Sequence, residues 1–255
     1  MSEFQGKTIV ITGAGGGIGG ATARRFAQKG GQVALFDRDL PAAERAAAGI
    51  AAAGGIARAF ACDITDRPGI ETAVAAVERE MGPIGVLVNN AGWDVFKPFL
   101  KTTPADWDRL IAINLTGALH MHHVVLPLMV ARKAGRVVNI ASDAARVGSS
   151  GEAVYAACKG ALVAFSKTLA REHARDGITF NVVCPGPTET ALFEEYRRGA
   201  GNPEKLTEAF RRAIPLGRIG QPEDLPGAIT FLASEAASYI TGQVLSVSGG
   251  LSMAG

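Results

Sequence analysis

The sequence predicts an α/β fold in which one parallel sheet is covered by helices on both faces, and two observations support this. Short apolar runs rich in Val and Ile alternate with longer alanine-rich stretches along most of the chain. Most of these runs are continuously apolar rather than alternating, as expected of strands that are buried on both faces of a parallel sheet. Regular alternation of strand and helix indicates a doubly wound sheet of the Rossmann type.

Seven strands and five crossover helices are predicted along the chain. The strands are Thr8–Thr12, Gln32–Asp37, Ile56–Asp63, Val86–Asn89, Arg136–Ala141, Thr179–Val183 and Val244–Val247. The helices between them are Gly19–Lys29, Pro41–Ala53, Arg67–Met81, Pro104–Arg132 and Ala153–Arg175. Because no repeat or low-complexity linker divides the chain, we expect a single nucleotide-binding domain over residues 1–255.

The stretch Thr188–Leu216 breaks this alternation. It is charged and is interrupted by Gly199, Gly201, Pro203 and Pro215. Long irregular segments inside a domain are usually functional loops. We therefore predict a mobile substrate lid at about residues 188–216.

Charge and composition exclude several classes of protein. The net charge of +2 gives no electrostatic footprint for a nucleic-acid partner. No apolar run approaches the ~18 residues of a membrane span, and the polar N-terminus does not resemble a secretory signal. The three cysteines are scattered without ligand spacing, which favours reduced thiols. We therefore expect a cytoplasmic protein with neither a nucleic-acid nor a membrane partner.

A glycine-rich turn joins the first predicted strand to the first predicted helix. Its residues are Gly13, Ala14, Gly15, Gly16, Gly17, Ile18 and Gly19. Glycines permit a tight turn and let backbone N–H groups approach a pyrophosphate at the positive end of a helix. Between a strand and a helix of a βαβ unit, this turn predicts a dinucleotide cofactor.

Asp37 ends the second predicted strand, where a carboxylate can accept hydrogen bonds from both ribose hydroxyls of the adenosine half. The same carboxylate would repel a 2′-phosphate, and position 16 carries Gly16 rather than a basic residue. Arg38 opposes this interpretation, because a guanidinium there can receive a phosphate. On balance, Asp37 favours NAD over NADP.

Tyr155 and Lys159 are candidates for acid/base chemistry because they lie four residues apart on one face of a predicted helix. A tyrosine hydroxyl titrates near pH ~10, and a nearby ammonium is expected to lower its pKa towards the working range. Ser142 follows a predicted strand, at the sheet edge where doubly wound folds place their active sites. It is expected to bind the substrate oxygen while Tyr155 exchanges the proton.

Six short motifs follow one another along the whole chain. They are the Thr12-Gly13…Gly17-Ile18-Gly19 turn, Asn89-Asn90-Ala91-Gly92, Asn114, Ser142, Tyr155 with Lys159, and Pro185-Gly186. In order and spacing they resemble the short-chain dehydrogenase/reductase family. The resemblance implies an NAD-dependent alcohol dehydrogenase that needs no metal and assembles as a homotetramer.

The resemblance also assigns roles to residues around the cofactor. It places Asp63 and Ile64 at the adenine, Asn90 at the adenosine ribose, and Asn89 in the central sheet. It implies that Asn114 holds a water molecule that links Lys159 to solvent. Pro185 and Gly186 precede Thr188 and Thr190, which would contact the nicotinamide carboxamide and a neighbouring phosphate.

Longer segments carry a finer resemblance. They are residues 90–94, 113–123, 142–148 and 242–250. These are similar to family members that oxidise 2-hydroxycyclohexanecarboxyl-CoA to 2-ketocyclohexanecarboxyl-CoA. Apolar side chains near the predicted site would form the ring pocket, and they are Trp93, Phe96, Val147, Leu192 and Phe193.

Two further patterns have alternative explanations. His120, His122 and His123 lie on one predicted helix, but no acidic or cysteine partner stands at ligand spacing, so we predict no metal site. The lid is basic, and its cations either hold CoA phosphates or form a solvated helix face. These cations are Arg197, Arg198, Lys205, Arg211 and Arg212.

Two other functions remain open from sequence. One is a dehydrogenase or ketoreductase for free alicyclic or aryl alcohols, which would use the same catalytic residues. The other is a regulator that senses NAD without turnover. Intact Ser142, Tyr155, Lys159 and Asn114 speak against the regulator, which would not need them.

Overall fold

Parallel strands lie side by side in one sheet in the computed structural model, which describes residues 3–199 and 201–254. The strands are β1 (Thr8–Thr12), β2 (Gln32–Asp37), β3 (Ile56–Ala61), β4 (Ile84–Asn89), β5 (Gly135–Ile140), β6 (Ile178–Pro185) and β7 (Val244–Val247). Their order across the sheet is β3-β2-β1-β4-β5-β6-β7. The predicted doubly wound sheet is confirmed. Met1, Ser2 and Gly255, together with Ala200 of the predicted lid, lie outside the described residues.

Helices cover the sheet along the described part of the chain. They are α1 (Gly17–Gln28), α2 (Leu40–Ala52), α3 (Arg67–Glu80), α4 (Pro104–Ile111), α5 (Gly117–Arg132), α6 (Ala144–Val147), α7 (Ala153–Glu172), α8 (Ala191–Gly199), α9 (Pro203–Ala213) and α10 (Pro226–Leu232). Helices α8 and α9 form the segment that the sequence predicts as a lid. The mobility of that segment stays a prediction.

The sheet separates two apolar cores because successive strand residues point to opposite faces. On β1, Ile9 and Ile11 pack in the core that contains α1, α2 and α10. Val10, between them, packs in the opposite core with α3, α5 and α7. Burial on both faces explains why the central strands are continuously apolar in sequence.

The structure differs from the sequence prediction at several boundaries. Strand β3 ends at Ala61 rather than Asp63, because the Asp63 carboxylate accepts a hydrogen bond from the backbone N–H of Thr65 and turns the chain. The predicted helix Pro104–Arg132 contains a π-helical turn at Ala112–Thr116. Helix α10 was not predicted, since its seven residues are too few to show a helical period.

The helical stretch Pro104–Arg132 is long and apolar enough to cross a membrane by length and composition, with mean hydropathy 1.2 over 18 residues. The criterion is an average, and no continuous apolar run of that length is present in the stretch, because His120, His122 and His123 interrupt it. One such helix is weak support for a membrane span, because core helices of globular proteins meet the same criterion. Met121, Val125 and Met129 of α5 are fully buried in the core beneath the sheet. We interpret the stretch as a core helix.

Strand order determines where a ligand can bind. The chain runs outwards from β1 to β3 and then returns to β4, which pairs with the other side of β1. In open parallel sheets a crevice forms outside the carboxyl ends of the strands at such a reversal. The residues that follow β1 and β4 therefore border the same crevice.

Candidate active site

A cavity of about 950 Å³ opens at the carboxyl ends of β1, β4 and β5. Most residues predicted to bind the cofactor line it. They are Gly13, Gly17, Ile18, Asp37, Asp63, Ile64, Asn90, Gly92, Tyr155, Lys159, Pro185, Gly186, Thr188 and Thr190. Gly15, Gly19 and Asn114 are not part of its wall. Ser142 lines the same cavity, so one crevice holds the predicted cofactor and catalytic residues.

Gly13 and Gly19 of the glycine-rich turn are packed too closely to carry a side chain. A Cβ on Gly19 would lie 2.2 Å from the carbonyl oxygen of Gly13, and a Cβ on Gly13 would lie 2.9 Å from the Cα of Ala91. Gly13 also has a φ of +64°, which favours glycine. No side chain caps the start of α1. The cradle therefore fits a pyrophosphate, which backbone N–H groups and the helix dipole can stabilise.

Asn90 fastens this turn to the end of β4. Its side-chain Nδ2 donates to the carbonyl oxygens of Thr12 and Gly13, at 3.0 and 3.1 Å. Its backbone N–H donates to Thr12 Oγ1, at 3.0 Å. Its contact with the adenosine ribose stays a prediction. The structure adds a second role, which is to hold the shape of the cradle.

Asp37 is held at the edge of the cavity by backbone donors. Its two carboxylate oxygens accept hydrogen bonds from the N–H of Gly15, at 2.8 Å, and of Asp39, at 3.0 Å. Arg38 and Asp63 line the same cavity. A fixed negative charge at this place suits ribose hydroxyls and opposes a 2′-phosphate.

In Asp37→Ser, we expect the ratio of kcat/KM for NAD over NADP to fall at least ~10-fold, or about 1.4 kcal/mol. The substitution removes the anion that a 2′-phosphate would meet. Steady-state kinetics with both cofactors measure the ratio. Asp39→Ser is the matched control, because Asp39 caps α2 without lining the cavity and serine also caps helices. Preference of the unmodified protein for NADP would contradict this role of Asp37.

Asn114 lies in the π-helical turn between α4 and α5 and is 1% exposed. Its side-chain Nδ2 donates to the carbonyl oxygens of Trp93, at 2.6 Å, and Leu110, at 3.0 Å. A Cβ on Gly92 would lie 3.1 Å from Asn114 Oδ1 and 3.2 Å from Lys159 Nζ. The space over Gly92 thus brings the two polar groups together, as a water-mediated link between them requires.

Lys159 and Tyr155 project from the first two turns of α7. Lys159 is 3% exposed, its Nζ donates to the carbonyl oxygen of Ile140 at 3.0 Å, and Nζ lies 5.6 Å from the Tyr155 ring centroid. Burial lowers the pKa of Lys159 to about 8. Burying the charged ammonium of Lys159 therefore costs free energy. This cost favours a functional role for the residue over a stabilising one.

The Tyr155 hydroxyl lies within hydrogen-bonding reach of Ser142. Burial raises the pKa of Tyr155, the negative charges of Asp94 and Glu152 raise it further, and the bond to Ser142 lowers it. The expected lowering by Lys159 is therefore wrong for this structure, because burial of the phenol dominates and the charges of Asp94 and Glu152 add to it. Tyr155 is held here as a protonated phenol, which can donate a proton to a carbonyl oxygen.

The segment after β6 closes the other side of the cavity. The Thr188 hydroxyl donates to the carbonyl oxygen of Gly186, at 2.9 Å, and Thr188 is 6% exposed. Thr190 Oγ1 accepts a hydrogen bond from the N–H of Phe193 at the start of α8. A Cβ on Gly17 would lie 3.5 Å from Thr190 Cγ2, so this segment faces the glycine-rich turn across the cavity.

Apolar side chains form the remaining wall. All five predicted ring-pocket residues line the cavity, and they are Trp93, Phe96, Val147, Leu192 and Phe193. Phe96 stacks on Tyr196 of α8 with ring centroids 3.7 Å apart, which joins the loop after β4 to the predicted lid. Arg109 also lines the cavity, with its guanidinium 3.8 Å from the Trp93 ring centroid. Sequence patterns gave no sign of Tyr196 or Arg109, since both reach the wall through tertiary packing.

Several cations of the basic lid are engaged by glutamates. Arg197 pairs with Glu189, at 2.9 Å, and with Glu194, while Arg212 pairs with Glu208 at 3.0 Å. By contrast, Arg109 forms no ion pair with any described residue. Within the cavity, Arg109 is therefore a better candidate than the paired lid arginines for contacting an anion.

The histidines of the helix at 104–132 have three separate partners. His122 is buried, donates through Nδ1 to the carbonyl oxygen of Ala118, and lies 3.3 Å from the Asn139 amide. His123 contacts Arg67, and His120 faces the carbonyl oxygen of Ile64. In the part of the chain that the structure describes, no cluster of three His, Cys, Asp or Glu side chains can hold a metal.

Fold and site together define the class of this protein as a nucleotide-binding oxidoreductase with a doubly wound sheet. The family model described as "Enoyl-(Acyl carrier protein) reductase" matches residues 13–252. Curated relatives match almost the whole chain at well above 30% identity. The chain belongs to the short-chain dehydrogenase/reductase family.

Three relatives illustrate the similarity. A 2-(S)-hydroxypropyl-CoM dehydrogenase of Xanthobacter autotrophicus is 37% identical over 98% of this chain and 98% of its own length. A 3-oxoacyl-[acyl-carrier-protein] reductase of Thermotoga maritima is 38% identical over 98% of this chain and 99% of its own. The crystal structure of an NAD⁺-bound xylitol dehydrogenase superposes with a TM-score of 0.93 and 34% identity, over 97% of this chain and 100% of that one.

Proposed function

We propose that the protein oxidises a cyclic secondary alcohol to a ketone with NAD, and that its substrate is 2-hydroxycyclohexanecarboxyl-CoA. The observation that carries the reaction class is the Tyr155 hydroxyl within reach of Ser142, in the same cavity as the glycine cradle. The family is one of dehydrogenases and reductases, several of them named for secondary alcohols. The reaction class, as distinct from the substrate, is established: the protein is an NAD-dependent alcohol dehydrogenase of this family.

NAD supplies the hydride acceptor for such an oxidation. The residues that would hold it are the glycine cradle at its pyrophosphate and Asp37 at its adenosine ribose. Asp63 and Ile64 would border the adenine, and Thr188 and Thr190 the nicotinamide end. The matching superposition on an NAD⁺-bound relative supports this cofactor.

Polar side chains of the protein would bind the substrate oxygen and transfer its proton. Ser142 and Tyr155 would hold the substrate oxygen by hydrogen bonds. Once the positive charge of bound NAD⁺ favours its phenolate, Tyr155 would take the alcohol proton during oxidation. Lys159, buried next to the space over Gly92, would pass that proton towards Asn114 and a bound water molecule. Each step uses a side chain already in the cavity or behind its wall.

The apolar wall supports a ring substrate. Trp93, Phe96, Leu192 and Phe193 give the cavity an apolar wall, and Val147 also lines it, with 60% of its surface exposed. Burying a six-membered ring there is favourable by ~0.8 kcal/mol for each CH₂ group. A lid made of α8 and α9 would exclude water around the ring when it closes.

An acyl carrier needs a contact for its phosphates, and we propose Arg109 for it. Its guanidinium is stacked on Trp93 beside the cavity and has no carboxylate partner among the described residues. Stacking on an aromatic face leaves the edge of a guanidinium free to bind phosphate. Two relatives have carrier-linked compounds in their names, coenzyme M and acyl carrier protein, which supports a carrier-linked substrate here.

The test compares 2-hydroxycyclohexanecarboxyl-CoA with the free hydroxy acid. The thioester should be oxidised with kcat/KM at least ~100-fold higher, an advantage of roughly 2.7 kcal/mol. Binding energy from the remote nucleotide would help to position the reacting carbon. Equal efficiency towards the thioester and cyclohexanol would overturn the CoA assignment and favour a dehydrogenase of free ring alcohols.

A variant of Arg109 tests whether this residue contacts the phosphates of the carrier. Arg109→Gln should raise KM for the thioester and leave cyclohexanol unaffected. Arg79→Gln is the matched control, because Arg79 is an exposed arginine of α3 that does not line the cavity. Higher ionic strength should reduce the effect of Arg109 if charge pairing contributes to it.

We further propose that the chain acts as one domain with a lid at 188–216, in the cytoplasm and as a homotetramer, as the family resemblance implies. Size-exclusion chromatography with light scattering would measure the assembly.

A further inference from the structure

Asp94 is a buried carboxyl group next to the active site. It follows β4 by five residues and is 4% exposed. Its Oδ1 accepts a hydrogen bond from the N–H of Val95, at 2.7 Å. Its Oδ2 is enclosed and has no hydrogen-bond donor among the described residues. Burying a carboxyl oxygen without a hydrogen-bond donor costs free energy, so we expect a functional reason for the position of Asp94.

Glu152 supplies the second carboxyl group. It stands directly before α7, lines the cavity, and does not cap the helix with its side chain. Its carboxyl group lies within hydrogen-bonding reach of Asp94. A bond of 3.0 Å from the N–H of Lys97 to the carbonyl oxygen of Gly151 fastens the two loops together. The contact between the carboxyl groups is therefore built into the loop packing.

No cation neutralises this pair directly. Neither Asp94 nor Glu152 forms an ion pair with a Lys, Arg or His side chain in the described ranges. Burial raises the pKa of Asp94 to about 8, and the charge of Glu152 contributes, while Lys159 opposes this weakly. Two carboxyl groups in contact disfavour being ionised together, so the negative charge belongs to the pair rather than to either residue.

That charge acts on the reacting group. Glu152 stands directly before α7 and precedes Tyr155 by three residues, and both side chains line the cavity. Asp94 and Glu152 both raise the pKa of Tyr155 through their charge. A substituent on the carbon next to a carbinol bound at Tyr155 lies in the same field. The field is strong because burial limits screening by water.

We propose that Asp94 and Glu152 determine substrate specificity by excluding a negative charge next to the carbinol. Thioesters, esters and unsubstituted ring alcohols are accepted, whereas free 2-hydroxy carboxylates are rejected at the reacting centre. This selection acts on the charge of the group beside the carbinol, independently of any nucleotide carrier. It rests on the proposed function only in requiring alcohol oxidation at Tyr155.

The experiment compares methyl 2-hydroxycyclohexanecarboxylate with the free 2-hydroxycyclohexanecarboxylate, since neither carries a nucleotide. In the unmodified protein, kcat/KM for the ester should exceed that for the acid at least ~10-fold. In Glu152→Gln, the ratio of kcat/KM for the ester over the acid should fall at least ~10-fold, because the acid no longer meets the second negative charge. Asp94→Asn is the second variant and should change the same ratio in the same direction.

Glu195→Gln is the matched control, because Glu195 is an exposed residue of α8 outside the cavity. It should leave the ester-to-acid ratio unchanged. An ester-to-acid ratio near one in the unmodified protein would overturn the inference, as would an unchanged ratio in both folded variants. No oxidation of either the ester or cyclohexanol by the unmodified protein would overturn the proposed function, and this inference with it.

Discussion

In Tyr155→Phe, turnover should fall at least ~1,000-fold while the affinity for NADH stays within a few-fold of the unmodified protein. The substitution deletes only the hydroxyl that exchanges the proton. The ring remains, and it keeps its place on α7 one turn before Lys159. Steady-state rates and NADH fluorescence titration measure the two quantities separately.

Tyr239→Phe is the matched control for this prediction. Tyr239 is fully exposed and lies outside the cavity, so its hydroxyl can be deleted without changing the site. A kcat near that of the unmodified protein in Tyr155→Phe would show that another group exchanges the proton.

In Lys159→Ala, we expect at least a ~100-fold loss of kcat/KM together with weaker NADH binding. The buried ammonium would stabilise the proton relay, and its side chain lines the cavity that is expected to hold the cofactor. Its bond to the carbonyl oxygen of Ile140 is also lost, but the desolvation cost of the buried ammonium disappears with it, so the two effects on stability oppose each other. Chemical denaturation measures the net change independently of activity.

Lys167→Ala serves as its control, because Lys167 lies on the same helix and is exposed to solvent. It should change neither kinetics nor cofactor affinity. Unchanged NADH affinity in Lys159→Ala would rule out a cofactor contact, and an unchanged rate would rule out the proton relay.

The direction of the pKa shift of Tyr155 could not be predicted from the sequence. Lys159 is visible four residues away, and its charge argues for a lowered pKa. The carboxyl groups of Asp94 and Glu152 reach Tyr155 through the folding of two loops, and with burial they raise the pKa instead. Binding of a cationic oxidised nicotinamide in the cavity would favour the phenolate again.

The bounds of several strands could be predicted from the sequence, whereas several contacts in the cavity wall could not. β1, β2 and β7 begin and end where the sequence predicts, because each apolar run is bounded by polar or turn-forming residues. The glycine cradle was predictable because its spacing is local. Arg109 on Trp93 and Phe96 on Tyr196 were not, since each contact joins different elements and leaves no pattern along the chain.

Hydride transfer from the carbinol carbon is the central claim, and isotope transfer tests it most directly. The protein is incubated with NAD⁺ and a ring alcohol that carries deuterium on the carbinol carbon, and the NADH formed is analysed by mass spectrometry. The account predicts one deuterium in each NADH molecule and a matching amount of ketone. NADH without deuterium, or no NADH from any cyclic alcohol or its CoA thioester, would contradict it.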